Sequence, residues 1–336
     1  MNSLRCRLVG LFALLAVSAP AMSAESPNLR VAATFSERSP AGTIIENWRK
    51  AIFKTANVRL DIFWSEGLRP ESDYQNILQT GRAAIVIGRD VSMVGLGDLG
   101  LPFTFEDVQG QYVQSQTHFD RAKSNTYNGV RLLAYLPVDV DVMLAAVAVN
   151  GPGDLKGKKL VVAPSIGPSA ARNLGKTAAA VNLVPYEQAP DVFAKARYGA
   201  DTVIMWPLAE ISALAPSAGS WPLKVVTTTN HRIETAWVGI SAGVWAKLDA
   251  KTQSAVNSTL RSATVMAMTN NNKRIAGALE TMKAKGYKVA SPTDRAKLFA
   301  MYSPNASAGN GCTGDEFKRL VRNSCRCVAG KLKNEC

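Results

Sequence analysis

The chain has 336 residues, 47% of them apolar and 19% charged, with a formal net charge of +13. That supplies a sizeable core and leaves room for two domains. The basic residues are scattered, with no basic helix or aromatic-interleaved basic run, which argues against nucleic acid as a partner; two histidines in all argue against a His-rich metal centre.

Residues 1–24 stand apart. Arg5 and Arg7 precede an apolar run over 8–17, and small residues follow at Ala19, Ala21 and Ala24, the layout of a secretory signal cleaved after Ala21 or Ala24. The run is too short to span a bilayer, so the expected product is an exported, periplasmic protein. Residues 29–33 read as a buried strand, and Ser39-Pro40 supplies an N-cap with Pro at the first helical position of a helix reaching about Lys54. A strand over 58–64, a helix over 74–80 and a strand over 83–87 complete a βαβαβ pattern, that of an open, mostly parallel sheet.

Gly95-Leu96-Gly97-Asp98-Leu99-Gly100 matches the dinucleotide fingerprint in letters only. Pro102 and Phe103-Thr104-Phe105 follow where a helix should open, so no nucleotide or other cofactor is expected. After a helical stretch over 108–124, strands are predicted at 131–135 and 141–150, and Gly151-Pro152-Gly153 breaks the chain. A second α/β unit follows, with strands at 159–163 and 202–205 and helices at 169–180 and 191–196. Strands at 224–228 and 236–241 then return. Repeated crossing between two lobes is the habit of binding proteins that hinge around a cleft. His231 and Glu234 read as a surface loop between the returning strands.

Gly239-Ile240-Ser241-Ala242-Gly243 fits the nucleophile-elbow letters, but His118 and His231 both precede the serine, the wrong order for that triad, and no enzyme is expected. Asp139 and Asp141, two apart on one strand, share a face and could act as general acids, as ligand or hinge contacts, or as plain solvated charges.

The segment from Asp249 to Lys285 has helical apolar spacing at Val256, Leu260, Ala263 and Ala267, then Ile275, Leu279 and Met282. Asp249 is an N-cap, and Lys283, Lys285 and Gly286 mark the C-terminal end. About 35 residues at 1.5 Å each reach roughly 50 Å, longer than one domain, so this helix should touch two lobes; Asn270, Asn271 and Asn272 mark where it should bend. Beyond a small-residue linker over 305–311, Phe317, Leu320, Val321 and Val328 form a short amphipathic helix. Cys312, Cys325, Cys327 and Cys336 cluster there; an even count in an exported chain suggests two disulfides, and the absence of a Cys-x-x-Cys knuckle speaks against metal.

The order of these elements resembles the solute receptors of tripartite ATP-independent periplasmic (TRAP) transporters, of the dicarboxylate-receptor (DctP) type. The matching pieces are Ser39-Pro40-Ala41-Gly42; Leu78-Gln79-Thr80-Gly81 followed by Ala83; Leu101-Pro102-Phe103-Thr104-Phe105-Glu106-Asp107; Asp154-Leu155-Lys156-Gly157-Lys158-Lys159; the strand and lead-in over 238–248; and the helix exit over 279–289. The resemblance implies an α/β, two-lobed periplasmic binding protein fold, with a long helix bridging both lobes. It further implies a cleft that closes on one small organic solute and delivery to integral-membrane transporter subunits. On this basis residues 25–140 and 219–250 form lobe 1, 141–218 lobe 2, 251–286 the bridging helix, 287–304 a return segment and 305–336 a Cys-rich tail outside the resemblance.

Three departures concern the ligand. The family arginine that clamps a carboxylate falls on Val161, a second falls near Asp139 to Asp141, and Trp206 stands where an asparagine is expected. The expected pocket therefore has aromatic walls from Phe35, Trp64, Trp206 and Trp237, with Asp139 or Asp141 facing a polar or cationic group. Glu37, Arg89 and Ser165 are further candidates at strand ends. The alternative expectation is an exported interaction protein that kept the receptor fold, lost its solute and docks a partner through the tail.

Overall fold

The computed structural model describes residues 27–65, 67–94, 108, 111–112, 115, 126–166, 168–194, 198–294 and 297–298. The signal segment, the glycine run at 95–100, the Leu-Pro-Phe segment, His118 and the four tail cysteines lie outside them.

The first unit forms as its alternation dictates. β1 (Asn28–Ala33), α1 (Pro40–Ala56), β2 (Arg59–Phe63), α2 (Tyr74–Gln79) and β3 (Ile85–Gly88) follow in order, with β1 parallel between β2 and β3. The Ser39 hydroxyl caps α1, accepting from the Gly42 amide at 3.0 Å. Gly42 has to be glycine, because a Cβ there would lie 2.3 Å from the Ser36 and Glu37 carbonyl oxygens.

The short β4 (Thr126–Tyr127) leads into β5 (Val130–Ala145). The second unit then repeats the first: β6 (Lys159–Val162), α3 (Pro168–Leu174), β7 (Ala180–Leu183), α4 (Ala189–Ala194) and β8 (Thr202–Pro207), with β6 parallel between β7 and β8. The helix expected over 169–180 stops at Leu174; Gly175 follows it, and Ala180 already belongs to β7. The chain continues through α5 (Leu208–Leu214), β9 (Val225–Ser241), α6 (Ala242–Lys247), α7 (Ala250–Ala284) and β10 (Lys288–Ala290). One sheet results, in the order β2-β1-β3-β9-β5-β8-β6-β7, with β10 on β9 and β4 on β5.

The two strands expected at 131–135 and 141–150 are one strand, β5, of 16 residues. Those at 224–228 and 236–241 are likewise one strand, β9, of 17 residues. Pro137 and the charged residues in the middle of each strand made these stretches read as breaks. The proline sits at a register shift between Pro137 and Asp139, where a ladder hydrogen bond is dispensable. The charges oppose one another across the ladder, Asp139 against Glu234 and Asp141 against Arg232. His231 and Glu234 are buried within β9, not in a surface loop.

These two strands join the lobes. Trp237 to Ile240 of β9 pair with β3, whereas Val225 to Thr227 pair with β10 and with the end of β5; Asp141 to Ala145 of β5 pair with β8. Each strand therefore begins in one lobe and ends in the other.

α7 runs 35 residues without interruption, through Asn270 to Asn272. Asp249 caps it, accepting from the Thr252 amide at 2.7 Å, and Gly286 ends it at φ +89. Its first half packs Val256, Leu260 and Ala263 into the lobe 1 core with Ile45 and Trp48 of α1, and the Trp48 indole donates to Thr259 at 3.2 Å. Its second half sends Met268 and Met282 into a core shared with Leu208, Ile211 and Trp221. A separate cluster around Leu155, Leu160 and Met205 fills the other face of lobe 2. The long helix spans both lobes, as its length required. Among the described residues no helix is long and apolar enough to cross a membrane.

Candidate functional site

The carboxyl ends of β1, β3 and β8 and the middles of β5 and β9 meet at the seam between the lobes. Open α/β sheets place ligand sites beyond the carboxyl ends of their strands, at the point where the order reverses. Seven charged side chains gather there: Arg89, Asp139, Asp141, Glu210, Arg232, Glu234 and Arg274.

Arg89 follows β3 and is buried. Its Nη1 donates to Glu234 at 2.7 Å and its Nη2 to Glu210 at 3.3 Å. The guanidinium also lies between two rings, 4.4 Å from the Phe35 centroid and 3.6 Å from that of Tyr186. Both distances are those of a cation over an aromatic face. Burial alone would lower its pKa, but Glu234, Tyr186 and Glu210 raise it above the ordinary value. Trp206 supports the arrangement from β8, its indole N–H donating to Glu210 Oε2 at 2.5 Å.

A second pairing lies deeper. Arg232 reaches Asp141 Oδ2 at 3.5 Å, both side chains 2% exposed. Burial pushes Asp141 up to about 6, against the pull of Arg232. A third pairing binds the helix to the crossing strand: Arg274 of α7 donates to Asp139 Oδ1 at 3.1 Å and also to the Val138 carbonyl and Asn271. The other oxygen of Asp139 accepts from the Ala209 amide at the start of α5, at 2.7 Å. Burial raises Asp139 as well, with Arg274 opposing.

Glu71 borders the seam. Its carboxylate accepts from the Arg89 and Asp90 amides at 2.6 and 2.7 Å, and burial pushes it up to about 7. It fits there because Gly88 has no side chain: a Cβ would lie 2.3 Å from Glu71 Oε1 and 2.6 Å from the Trp237 indole.

Of the expected site residues, Phe35, Arg89, Asp139, Asp141, Trp206 and Trp237 come to this seam. Val161, Trp64 and Glu37 do not join the network. Val161 is buried in the shared core, Trp64 is half-buried against the lobe 1 core, Glu37 is exposed, and Ser165 lies in the turn Pro164–Ile166 after β6. Asp139 and Asp141 each already face an arginine of the chain. Arg232, Glu234, Glu210, Tyr186 and Arg274 were missed. Arg232 and Glu234 show the same two-residue spacing as Asp139 and Asp141, and that spacing was the available signal.

The architecture defines the class: two α/β lobes joined by two long antiparallel strands and one long helix. It is shared by solved TRAP periplasmic solute-binding proteins. One, from Ochrobactrum anthropi, is described with its C-terminus bound in the ligand-binding pocket; it is 19% identical over 91% of this chain and 97% of that one, at a TM-score of 0.72. One from Desulfovibrio salexigens, with bound orotic acid, is 18% identical over 90% and 99%, at 0.69. DctP7, a Bordetella pertussis extracytoplasmic solute receptor binding pyroglutamic acid, is 13% identical over 90% and 100%, at 0.70. At these identities the likeness establishes the fold. In sequence, residues 223–308 match the family described as bacterial extracellular solute-binding protein, family 7 (DctP). No curated protein matches the chain. The resemblance carried by the sequence motifs is thus borne out in fold, and residues 223–308 match the model of that family.

Proposed function

We propose that this chain is the exported solute-binding receptor of a TRAP-type secondary transporter. It closes on one small organic solute at the interlobe seam and delivers it to integral-membrane subunits. Lobe 1 is built on residues 25–140 and 219–250 and lobe 2 on 141–218, with β5 and β9 crossing between them and α7 bridging both. The signal ends at Ala21 or Ala24, placing the mature protein in the periplasm, and the four cysteines pair as two disulfides in the tail.

One observation carries this reading: the strands that join the lobes bury charged residues at the crossing, Asp139 and Asp141 among Val138, Val140 and Val142 on β5, and Arg232 and Glu234 around Ile233 on β9. Buried charge of this kind is costly unless paired, and a plain structural linker gains nothing from it.

The site also suggests a solute class. Both oxygens of Asp139 are engaged, so Asp141 is the acid that faces the solute. Among the described residues, Asp141 Oδ1 has no hydrogen-bond partner, nor do Arg89 Nε, Arg232 Nε and Trp237 Nε1. One acceptor beside several donors suits a compact solute with an N–H or O–H next to an acidic group. Orotic and pyroglutamic acids, held by two proteins of this fold, have that layout. Thermal-shift and calorimetric screening should find stabilisers among small cyclic N–H acids, and the stabilisation should be lost in Asp141→Asn. A screen over acids, amines, sugars and aromatics with no stabiliser would refute the receptor reading.

The mutual pairing of the seam charges supports a second reading, an exported interaction protein that kept the fold without transport. Deleting residues 305–336 separates the two. Solute binding retained with transport intact supports the receptor, whereas loss of a protein partner with no solute response supports the alternative.

A further inference from the structure

Arg89 belongs to lobe 1, but half of its surroundings belong to lobe 2. Phe35 follows β1 and Arg89 follows β3, both in the first unit. Tyr186 lies in the turn after β7, and Glu210 lies in α5 after β8, both in the second. The Tyr186 ring at 3.6 Å and the Glu210 carboxylate at 3.3 Å therefore reach Arg89 across the seam. Together with Glu234 of the crossing strand they make a slot shaped for a guanidinium, flat faces above and below and carboxylates at the edge. Trp206 holds Glu210 in place through its 2.5 Å hydrogen bond.

We infer that Arg89 is an internal latch, a lobe 1 side chain seated in a lobe 2 slot that holds the lobes together before any solute arrives. The inference rests on the receptor reading only in treating the seam as the closing cleft. Three features favour a latch over ordinary packing. The guanidinium is planar, so it leaves and re-enters the slot as a unit. Phe35 of lobe 1 and Glu234 of the crossing strand stay with it when the lobes part, which limits the cost of opening. Its lobe 2 partners are one ring and one carboxylate, whose loss water can offset once the seam is wet. Such a contact biases an equilibrium between open and closed forms without locking it, and a solute then acts on a population that is already largely closed.

Lobe separation in the full mature chain, dialysed and confirmed free of small molecules by mass spectrometry, tests this. Keto side chains introduced at the exposed positions of Lys50 and Arg172 carry spin labels without touching the cysteines. Pulsed-electron-resonance distances should show one dominant short population without solute. In Arg89→Ala the closed-to-open ratio should fall about tenfold, the scale of one partly desolvated cation–ring contact. Tyr186→Ala and Glu210→Gln should shift it the same way by less, and Arg49→Ala, in an exposed pair on α1, should not shift it. If Arg89→Ala fails to fold, the Tyr186 and Glu210 variants decide. A chain already open without solute, or unchanged distances in all the folded seam variants, would overturn the latch. No solute is added, so a failed latch leaves the receptor reading standing, and a failed solute screen leaves the latch result standing.

Discussion

The two lobes are built on one plan and use it differently. In each, the first strand of the unit lies between the other two, β1 between β2 and β3, β6 between β7 and β8. The first lobe ends its strands in an aromatic ring and a cation, Phe35 and Arg89. The second answers with two rings and a carboxylate, Tyr186, Trp206 and Glu210. The repeat builds the scaffold, and the complementarity between its two copies builds the seam. Neither lobe alone satisfies Arg89.

Breaking one lobe's core should have the largest effect. Trp48 is fully buried between α1 and α7, and Trp48→Ala should cost about 4 kcal/mol, read by denaturant unfolding. If the lobes unfold separately, that loss appears in only one of two transitions.

Next comes the crossing itself. Arg232→Met leaves Asp141 buried without its cation and should cost about 3 kcal/mol. A double variant with Asp141→Leu should recover much of that, and additive costs in the cycle would show that the two residues do not act as a pair.

Glu71 probes the seam through pH. Its pKa is about 7 in the folded chain against 4.5 in the unfolded one, so the folded state holds the proton more tightly. Its contribution is fully present below pH 4.5, declines between 4.5 and 7, and is lost above 7. Glu71→Gln keeps an oxygen for the Arg89 and Asp90 amides and removes the titration. The variant should gain on the parent by up to about 3 kcal/mol from pH 5 to 8, at 1.36 kcal/mol per pKa unit. Melting temperatures that differ by a constant amount across that range would contradict the assignment.

The smallest effect belongs to lobe 2's surface. Lys159 and Asp201 form an exposed pair at 2.8 Å, and Asp201→Asn should leave the melting temperature unchanged. A measurable loss there would mean that the outer edge of lobe 2 is more tightly coupled than the seam.

Much of the scaffold was legible because it follows local rules. Strand and helix alternation, the Ser39 and Asp249 caps and the Gly286 stop are set by neighbouring residues. The crossings were not legible for the same reason. Pro137, Arg232 and Glu234 look like loop residues in a short window; Asp139 and Asp141 could be set on one strand face, but only the pairing across β5 and β9 makes each stretch one continuous strand. The site was half visible: Arg89 could be placed from a strand end, Asp139 and Asp141 from their two-residue spacing, and Phe35, Trp206 and Trp237 as aromatic candidates, whereas Tyr186, Glu210 and Arg274 come from helices and turns whose position depends on the whole fold.

α5 is held at both of its ends. Asp139, itself gripped by Arg274, accepts from its Ala209 amide, and the Lys285 ammonium, just past the end of α7, donates to the Ser212 and Ala215 carbonyls at 2.7 Å each. The far half of the long helix is thus riveted to α5 at two points, and α5 carries Glu210. If the lobes part as proposed, that half should travel with lobe 2 as one rigid lever, with the fulcrum nearer the lobe 1 end, between the Trp48 contact and Met268. An open form should therefore show its rearranged packing around Ala263 to Ala267, three residues or more before the asparagine triplet that the sequence had marked for bending.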